Sequence, residues 1–283
     1  MKSQKNPQGQ DLLANEVIGN ALLRAAGLPT PAWKVIYVSE SCIQHNLGLL
    51  HSSHGNSTNT SPGLQYGSAF ISGDHCSEVL DALPGSSFTI NNQSDCLGMY
   101  IFDVWANHCD RREVLLVRRT CDSSLDIIFI DNGHLFGGPN RILKNVPGQA
   151  LCLDLRLYSR WNDAEIEAWI VHLEATLRPA LDTLHNLVPK IWLNGNLCSL
   201  LVVLRQRLAK IRLLFAEELA LNRRSVGKPK RQVLACSNPQ GLVPSTQAMG
   251  PSSFRIRNTH YRTSLSCDDL SADRLHGTAA PFS

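Results

Sequence analysis

Residues 102–116, FDVWANHCDRREVLL, place four consecutive charges, Asp110-Arg111-Arg112-Glu113, between two apolar runs. Such a knot marks the end of one element and the start of another. Upstream, across residues 94–107, Leu97, Ile101, Val104 and Trp105 share one helical face. Downstream, residues 114–117 (VLLV) and 126–130 (DIIFI) read as strands joined by the turn-rich CDSSL, which predicts a hairpin. Asp110 then lies a few residues before the first strand, and Asp131 directly follows the second. Antiparallel strands return the chain to its starting end, with neighbours about 5 Å apart. Two carboxylates 21 residues apart in sequence are thereby brought to one place.

Two separated acids at the mouth of a hairpin suit phosphoryl transfer. One carboxylate orients an attacking hydroxyl and takes its proton, while the other holds the Mg²⁺ that bridges nucleotide phosphates. Gly133, Gly137 and Gly138, which follow Asp131, let the backbone turn tightly beside such phosphates. The same spacing also fits a surface hairpin with solvated acids, since Asp at strand ends is common turn chemistry.

The rest of the chain gives an α+β reading with no internal repeat and no alternating βαβ rhythm. Residues 11–26 (DLLANEVIGNALLRAA) predict an amphipathic helix, with Val17, Ala21, Leu22 and Ala25 inward, Gly27 as its stop and Pro29 beyond. Residues 33–38 (WKVIYV) read as a strand, 51–63 as a polar loop and 64–71 as an extended segment leaving it. Asn162 with Glu165 predicts a capping box opening a helix that turns Ile166, Trp169, Ile170 and Leu173 to one side. One longer helix is predicted over residues 197–221, buried through Leu200, Leu204, Leu208, Ile211 and Phe215. Beyond Arg224 periodicity gives way to Ser, Pro, Gly and Gln, so residues 225–283 read as a disordered tail.

That tail carries the charge asymmetry, with seven Lys/Arg against three Asp/Glu. The first 224 residues hold 20 basic and 21 acidic groups, so the folded part gives no electrostatic case for nucleic acid. No run of 18 apolar residues exists, and KSQKNPQGQ after Met1 is no secretory leader. A cytoplasmic protein without a membrane span is expected. Nine cysteines with no C-x-x-C predict reduced, mostly buried thiols rather than a disulfide or zinc framework.

W-x-N-x-x-D-R-R (residues 105–112) followed by I-D-N-G-H-x-F-G-G (residues 130–138) resembles the HipA-like kinase family, an atypical, phosphatidylinositol-kinase-like branch of the kinase fold. K-x-x-x-N-P-Q-G (residues 2–9), L-x-N-E (residues 13–16) and G-L-P-x-P (residues 27–31) extend the resemblance over most of residues 1–222. The resemblance implies a two-lobe kinase domain over residues 1–224, with a truncated N-terminal lobe and a mostly helical C-terminal lobe. It implies that Lys2 neutralises nucleotide phosphates, that Glu16 holds Lys2, and that residues 64–71 border the adenine. Asp110 takes the place of the catalytic base, Asp131 that of the metal ligand, and Arg111 is a candidate phosphate contact. Of Arg111 and Arg112, at least one is expected to pair structurally with an acid.

Two departures stand against the family pattern. One residue, Met1, precedes Lys2, where kinases normally carry a phosphate-covering hairpin, and after Asp110 the run Arg111 to Leu116 lacks the Asn that many kinases use to help hold metal. Glu113 and Asn107 are candidate substitutes. The expectation is an ATP- and Mg²⁺-dependent phosphotransferase acting on Ser or Thr hydroxyls of an unidentified protein. The rival is a nucleotide-binding regulatory module, or pseudokinase; a third reading is a helical interaction protein that binds no nucleotide.

Overall fold

The structure is a computed structural model, and it describes residue 2 and residues 11–46, 61–71, 76–80, 84, 88–110, 112–119, 124–141, 143, 161–193 and 197–226. By internal contacts the chain divides into Met1–Arg231 and Gln232–Ser283, and all described residues belong to the first unit. The predicted tail, apart from residues 225–226 at the end of the last helix, and most of the predicted polar loop lie outside the described residues.

Helix α1 spans Asp11–Ala25. Its predicted stop is present: Gly27 has φ 70°, and the Leu28 and Gly27 amides donate to the Leu23 and Arg24 carbonyls at 2.9 and 3.1 Å. Only a residue tolerant of positive φ closes a helix in this way, which is why glycine ends it. Strand β1 (Trp33–Val38) pairs antiparallel with β2 (Gly63–Ser68), and Lys2 bridges to Tyr66 on the other edge of β2. Between β1 and β2 lies a short helix that the sequence reading missed, α2 (Glu40–His45), whose cap Ser39 accepts from the Cys42 amide at 3.1 Å.

The predicted hairpin is present as β4 (Glu113–Arg119) and β5 (Leu125–Ile130), in register with Glu113 opposite Ile130. A strand not read from the sequence, β3 (Cys76–Leu80), adds antiparallel to β4 and makes a three-stranded sheet in the order β3-β4-β5. The fold is thus mixed α+β, with two small antiparallel sheets and a helical remainder.

The central helix α3 (Ser94–Ala106) is buried almost all round and runs straight into the charged knot. Around it pack α4 (Asp163–Thr183), α5 (Leu197–Leu208) and α6 (Ile211–Val226). Helix α4 opens with the predicted capping box: the Glu165 amide donates to Asn162 Oδ1 and the Asn162 amide to Glu165 Oε2, both at 2.9 Å. The single helix predicted over residues 197–221 is instead two, with a break at Ala209-Lys210. No Gly or Pro marks it; packing of both halves against α3 decides it, and the predicted stripe Leu200, Leu204, Leu208, Ile211 and Phe215 stays buried throughout. Trp105, fully buried on α3, donates from Nε1 to the Leu204 carbonyl at 3.2 Å and so fixes α5 to the centre.

The described cysteines are free thiols, but only Cys96 is buried; Cys42 and Cys198 are exposed and Cys109 is half-buried. Among these four the expected burial does not hold, because Cys42 and Cys198 fall on the outer faces of their helices. Among the described residues no helix is long and apolar enough to cross a membrane.

Candidate functional site

The site is built on α1. The sequence reading gave this helix one apolar face, but from Asp11 to Asn20 every residue is buried, polar ones included. Asp11, Asn15 and Glu16 are covered because the segment of residues 131–141 folds back over them, whereas Asn20 is met by Tyr66 and Thr30. Asn15 Nδ2 donates to the carbonyls of Gly133 and Leu135 at 2.9 and 3.0 Å, and Arg141 pairs with Asp11 at 3.0 Å. Gly19 allows this approach: a Cβ there would lie 2.5 Å from Leu135 Cδ1 and 2.6 Å from Asn132 Cβ.

On that platform three of the sequence candidates converge. The Lys2 ammonium donates to Glu16 Oε1 and to Asp131 Oδ1, both at 2.5 Å. Glu16 Oε1 also accepts from the Gly133 amide at 3.0 Å, which ties the helix, the N-terminal residue and the loop after β5 into one knot. Burial works against the Lys2 charge, but Glu16 and Asp131 together outweigh it and hold the lysine above its ordinary pKa. Burial pushes Glu16 up, and Lys2 only partly offsets that. Asp131 is more open: burial would raise it, yet Lys2, with His134 and the Gly133 amide, brings it below the ordinary carboxylate range. Asp131 is therefore an anion at any pH near neutrality.

Asp131 also has φ 59°, in the left-handed region that L-residues with a β-carbon seldom adopt. The conformation costs about 1–2 kcal/mol, and such strain, where it occurs, gathers at functional sites. Part of what holds it is Arg112. This side chain is 1% exposed and makes a two-pronged pair with Asp103 on α3, Nε to Oδ2 at 3.0 Å and Nη2 to Oδ1 at 2.5 Å. Its Nη1 donates to the carbonyls of Ile130 and Asp131 at 2.9 and 3.2 Å, and to Asn132 Oδ1 at 2.8 Å. The charged knot thus contains an internal clamp, with Arg112 as the member that pairs structurally. Arg111 lies outside the described residues.

Lys2, Glu16, Asp131 and Asn132 line one end of a cavity of about 620 Å³. Its wall continues through Asn20, Thr30 and Tyr66, which are linked: Asn20 Nδ2 donates to the Tyr66 hydroxyl at 2.7 Å, and the Thr30 hydroxyl donates to Asn20 Oδ1. Beyond them the lining turns apolar with Phe70, Ile71, Val79, Leu115 and Ile130. The segment predicted to border the adenine, residues 64–71, supplies Tyr66 and the stretch 68–71 to this wall. Asn132, fully buried, leaves Nδ2 without a hydrogen-bond partner among the described residues. A buried donor left unpaired costs about 1–3 kcal/mol, so an acceptor arriving in the cavity would be welcome.

Asp110 is not part of this lining. Its side chain is 60% exposed and stands 3.8 Å from Nε2 of His134. The turn that carries it begins at Asn107, which ends α3 in a left-handed conformation (φ 52°). Asn107 is buried there and does not line the cavity, whereas Glu113 does. Among the described residues no group of three or more His, Cys, Asp or Glu is arranged to hold a metal ion.

Sequence reasoning missed Asn15, Asn20 and Thr30 as builders of the site, and it held Tyr66 only within residues 64–71 and Arg112 only as one of two arginines expected to pair with an acid. The signal for α1 was present as polar residues at positions 11, 15, 16 and 20, a stripe that was taken for the solvent side. Compared with protein-family models, with curated proteins and with solved structures, the chain matches none.

Proposed function

We propose that the chain is an ATP- and Mg²⁺-dependent phosphotransferase of HipA-like type with a two-lobe kinase arrangement, acting on Ser or Thr hydroxyls of a protein. One observation carries the reading: Lys2 Nζ lies 2.5 Å from both Glu16 and Asp131 at the polar end of a cavity whose other end is apolar. A cation held by an acid on a helix, beside a second acid after a strand, is the arrangement that binds nucleotide phosphates in kinases. The apolar end suits a flat base, and a volume of about 620 Å³ suits a nucleotide.

The residues fit a magnesium ion. Mg²⁺ is commonly held by one or two carboxylates together with substrate phosphates, so a cluster of three protein ligands is not required. Asp131, anionic and facing the cavity, would hold it, and Glu113 lines the same wall. Bound there, the ion would neutralise charge on the transferring phosphoryl group. Lys2 would then turn one of its hydrogens toward a phosphate oxygen while Glu16 keeps it in place. Asp110 would accept the acceptor hydroxyl's proton as the new O–P bond forms and ADP departs with the electrons of the broken bond.

A specific observation favours the second reading, a nucleotide-binding regulatory module. Leu115 lines the cavity in the stretch after Asp110 where many kinases carry a metal-binding Asn. Paired variants separate the readings. Asp131→Asn is expected to weaken Mg-ATP binding about tenfold or more, through loss of a ligand. Asp110→Asn is expected to leave that affinity within about twofold and to cut transfer by about 10²–10⁴-fold. Calorimetric titration of Mg-ATP, with phosphate transfer and melting curves for each variant, makes the measurement. Wild-type protein that binds Mg-ATP but transfers to no hydroxyl or water supports the regulatory module; no binding at all sinks both readings.

A further inference from the structure

We infer that His134 is a positioning residue for Asp110, aiming one carboxylate oxygen at the acceptor hydroxyl; the inference rests on the phosphotransferase reading. The loop that carries His134 is laced to the turn that carries Asp110 by backbone hydrogen bonds. Phe136 donates to the Ala106 carbonyl at 2.8 Å, Gly137 to the Asn107 carbonyl at 3.0 Å, and Cys109 to the His134 carbonyl at 3.0 Å. The Cys109 thiol donates to the same carbonyl at 3.3 Å. This ladder fixes the two Cα positions, so the approach of the side chains does not depend on a free loop.

Within it, His134 Nε2 comes to 3.8 Å from Asp110 Oδ2. The histidine is 20% exposed and the aspartate 60%, so the imidazole is the better-held partner and the carboxylate the one to be oriented. Gly138 makes room for the thiol in this ladder: a Cβ there would lie 2.8 Å from Cys109 Sγ, while His134 Nδ1, at 3.7 Å, would be in ordinary contact. A gap of 3.8 Å is too long for a hydrogen bond, and catalytic hydrogen bonds commonly tighten only when substrate is present. With Nε2–H donating to Oδ2, the rotation of the carboxylate is set and Oδ1 is aimed at the hydroxyl. The proton taken during transfer goes to Asp110 as the hydroxyl oxygen bonds to phosphorus and ADP leaves. His134 itself touches neither substrate nor metal.

The experiment uses the full chain, Mg-ATP and dephosphorylated casein as a generic hydroxyl acceptor, with variants His134→Leu, His134→Gln, Asp110→Asn and the double variant Asp110→Asn/His134→Leu. His134→Leu is expected to lower kcat about tenfold or more, with Mg-ATP affinity within about twofold of wild type. His134→Gln, whose amide reaches a similar place and donates, is expected to stay within about threefold of wild type. In the Asp110→Asn background, removing His134 is expected to add nothing, since the two act as one unit. Wild-type kcat in His134→Leu, equal losses in the Leu and Gln variants, or an undiminished loss in the double variant each overturns the positioning role and leaves the phosphotransferase reading standing. Absence of transfer by the wild-type protein overturns both.

Discussion

Arg112→Met tests the clamp inside the charged knot. The substitution keeps most of the aliphatic stem and removes the guanidinium. Asp103, 1% exposed, then loses both prongs of its pair with Arg112, and Asn132 Oδ1 loses a donor along with the carbonyls of Ile130 and Asp131. Removing one side of a buried ion pair costs about 3–5 kcal/mol, because the remaining charge stays desolvated. At about 2–4 °C per kcal/mol for a domain of this size, the melting temperature should fall by about 6–20 °C. The double variant Asp103→Leu/Arg112→Met removes both charges and should recover much of that loss. Calorimetric melting of the three proteins is the assay. A single variant melting within about 2 °C of wild type, or a double variant no better than the single, would refute the reasoning.

Two further outcomes are expected. His108 is buried, and burial, together with the charge of Arg112, holds its pKa well below the ordinary 6.5. The unfolded chain therefore takes up this proton first, so the histidine's contribution to stability is complete above pH 6.5 and is lost as pH falls, by on the order of 1 kcal/mol between pH 7 and 5.5. Glu16, raised by burial, has the opposite sign in acid, so urea melts of His108→Asn against wild type isolate the term; parallel pH curves would refute it. Gly19→Ala should cost about 1–3 kcal/mol, since its methyl would meet Leu135 and Asn132 at 2.5 and 2.6 Å, and an unchanged urea midpoint would show that the loop yields freely.

The elements that were legible in the sequence carry their own signals. The β4–β5 hairpin follows from two apolar runs about a turn, α1 from its glycine stop and α4 from Asn162 with Glu165. Strand β3 carries no such signal: CSEVL alternates weakly and is specified by its pairing with β4. The break between α5 and α6 was hidden for the same reason, since packing on α3 imposes it where the residues alone allow a continuous helix. In the site, Lys2, Glu16 and Asp131 were named from the sequence, and the structure brings them into one contact. Arg112 could not be told from Arg111 there, because only the fold shows that Asp103, nine residues back, meets it across the end of α3. The polar stripe on α1 was misread because a buried polar face and a wet one have the same periodicity until the covering loop is known.

The contacts that bring the segment of residues 131–141 onto α1 and Lys2 each span a long stretch of chain. Lys2 reaches Asp131 across 129 positions, Gly133 reaches Glu16 across 117, and Arg141 reaches Asp11 across 130. Such closures must be made before any of them is rewarded, which slows folding more than it weakens the folded state. Synthesis adds its own delay: at 5–20 residues per second, about 6–25 s separate the emergence of Glu16 from that of Arg141. During that interval α1 has no covering loop, although Leu12, Leu13, Val17, Ile18, Leu22 and Leu23 are all buried in the finished protein. A nascent chain of this protein therefore shows α1, buried along most of its length in the finished fold, long before it can cover it, which makes α1 a segment that a chaperone waiting at the ribosome exit would hold.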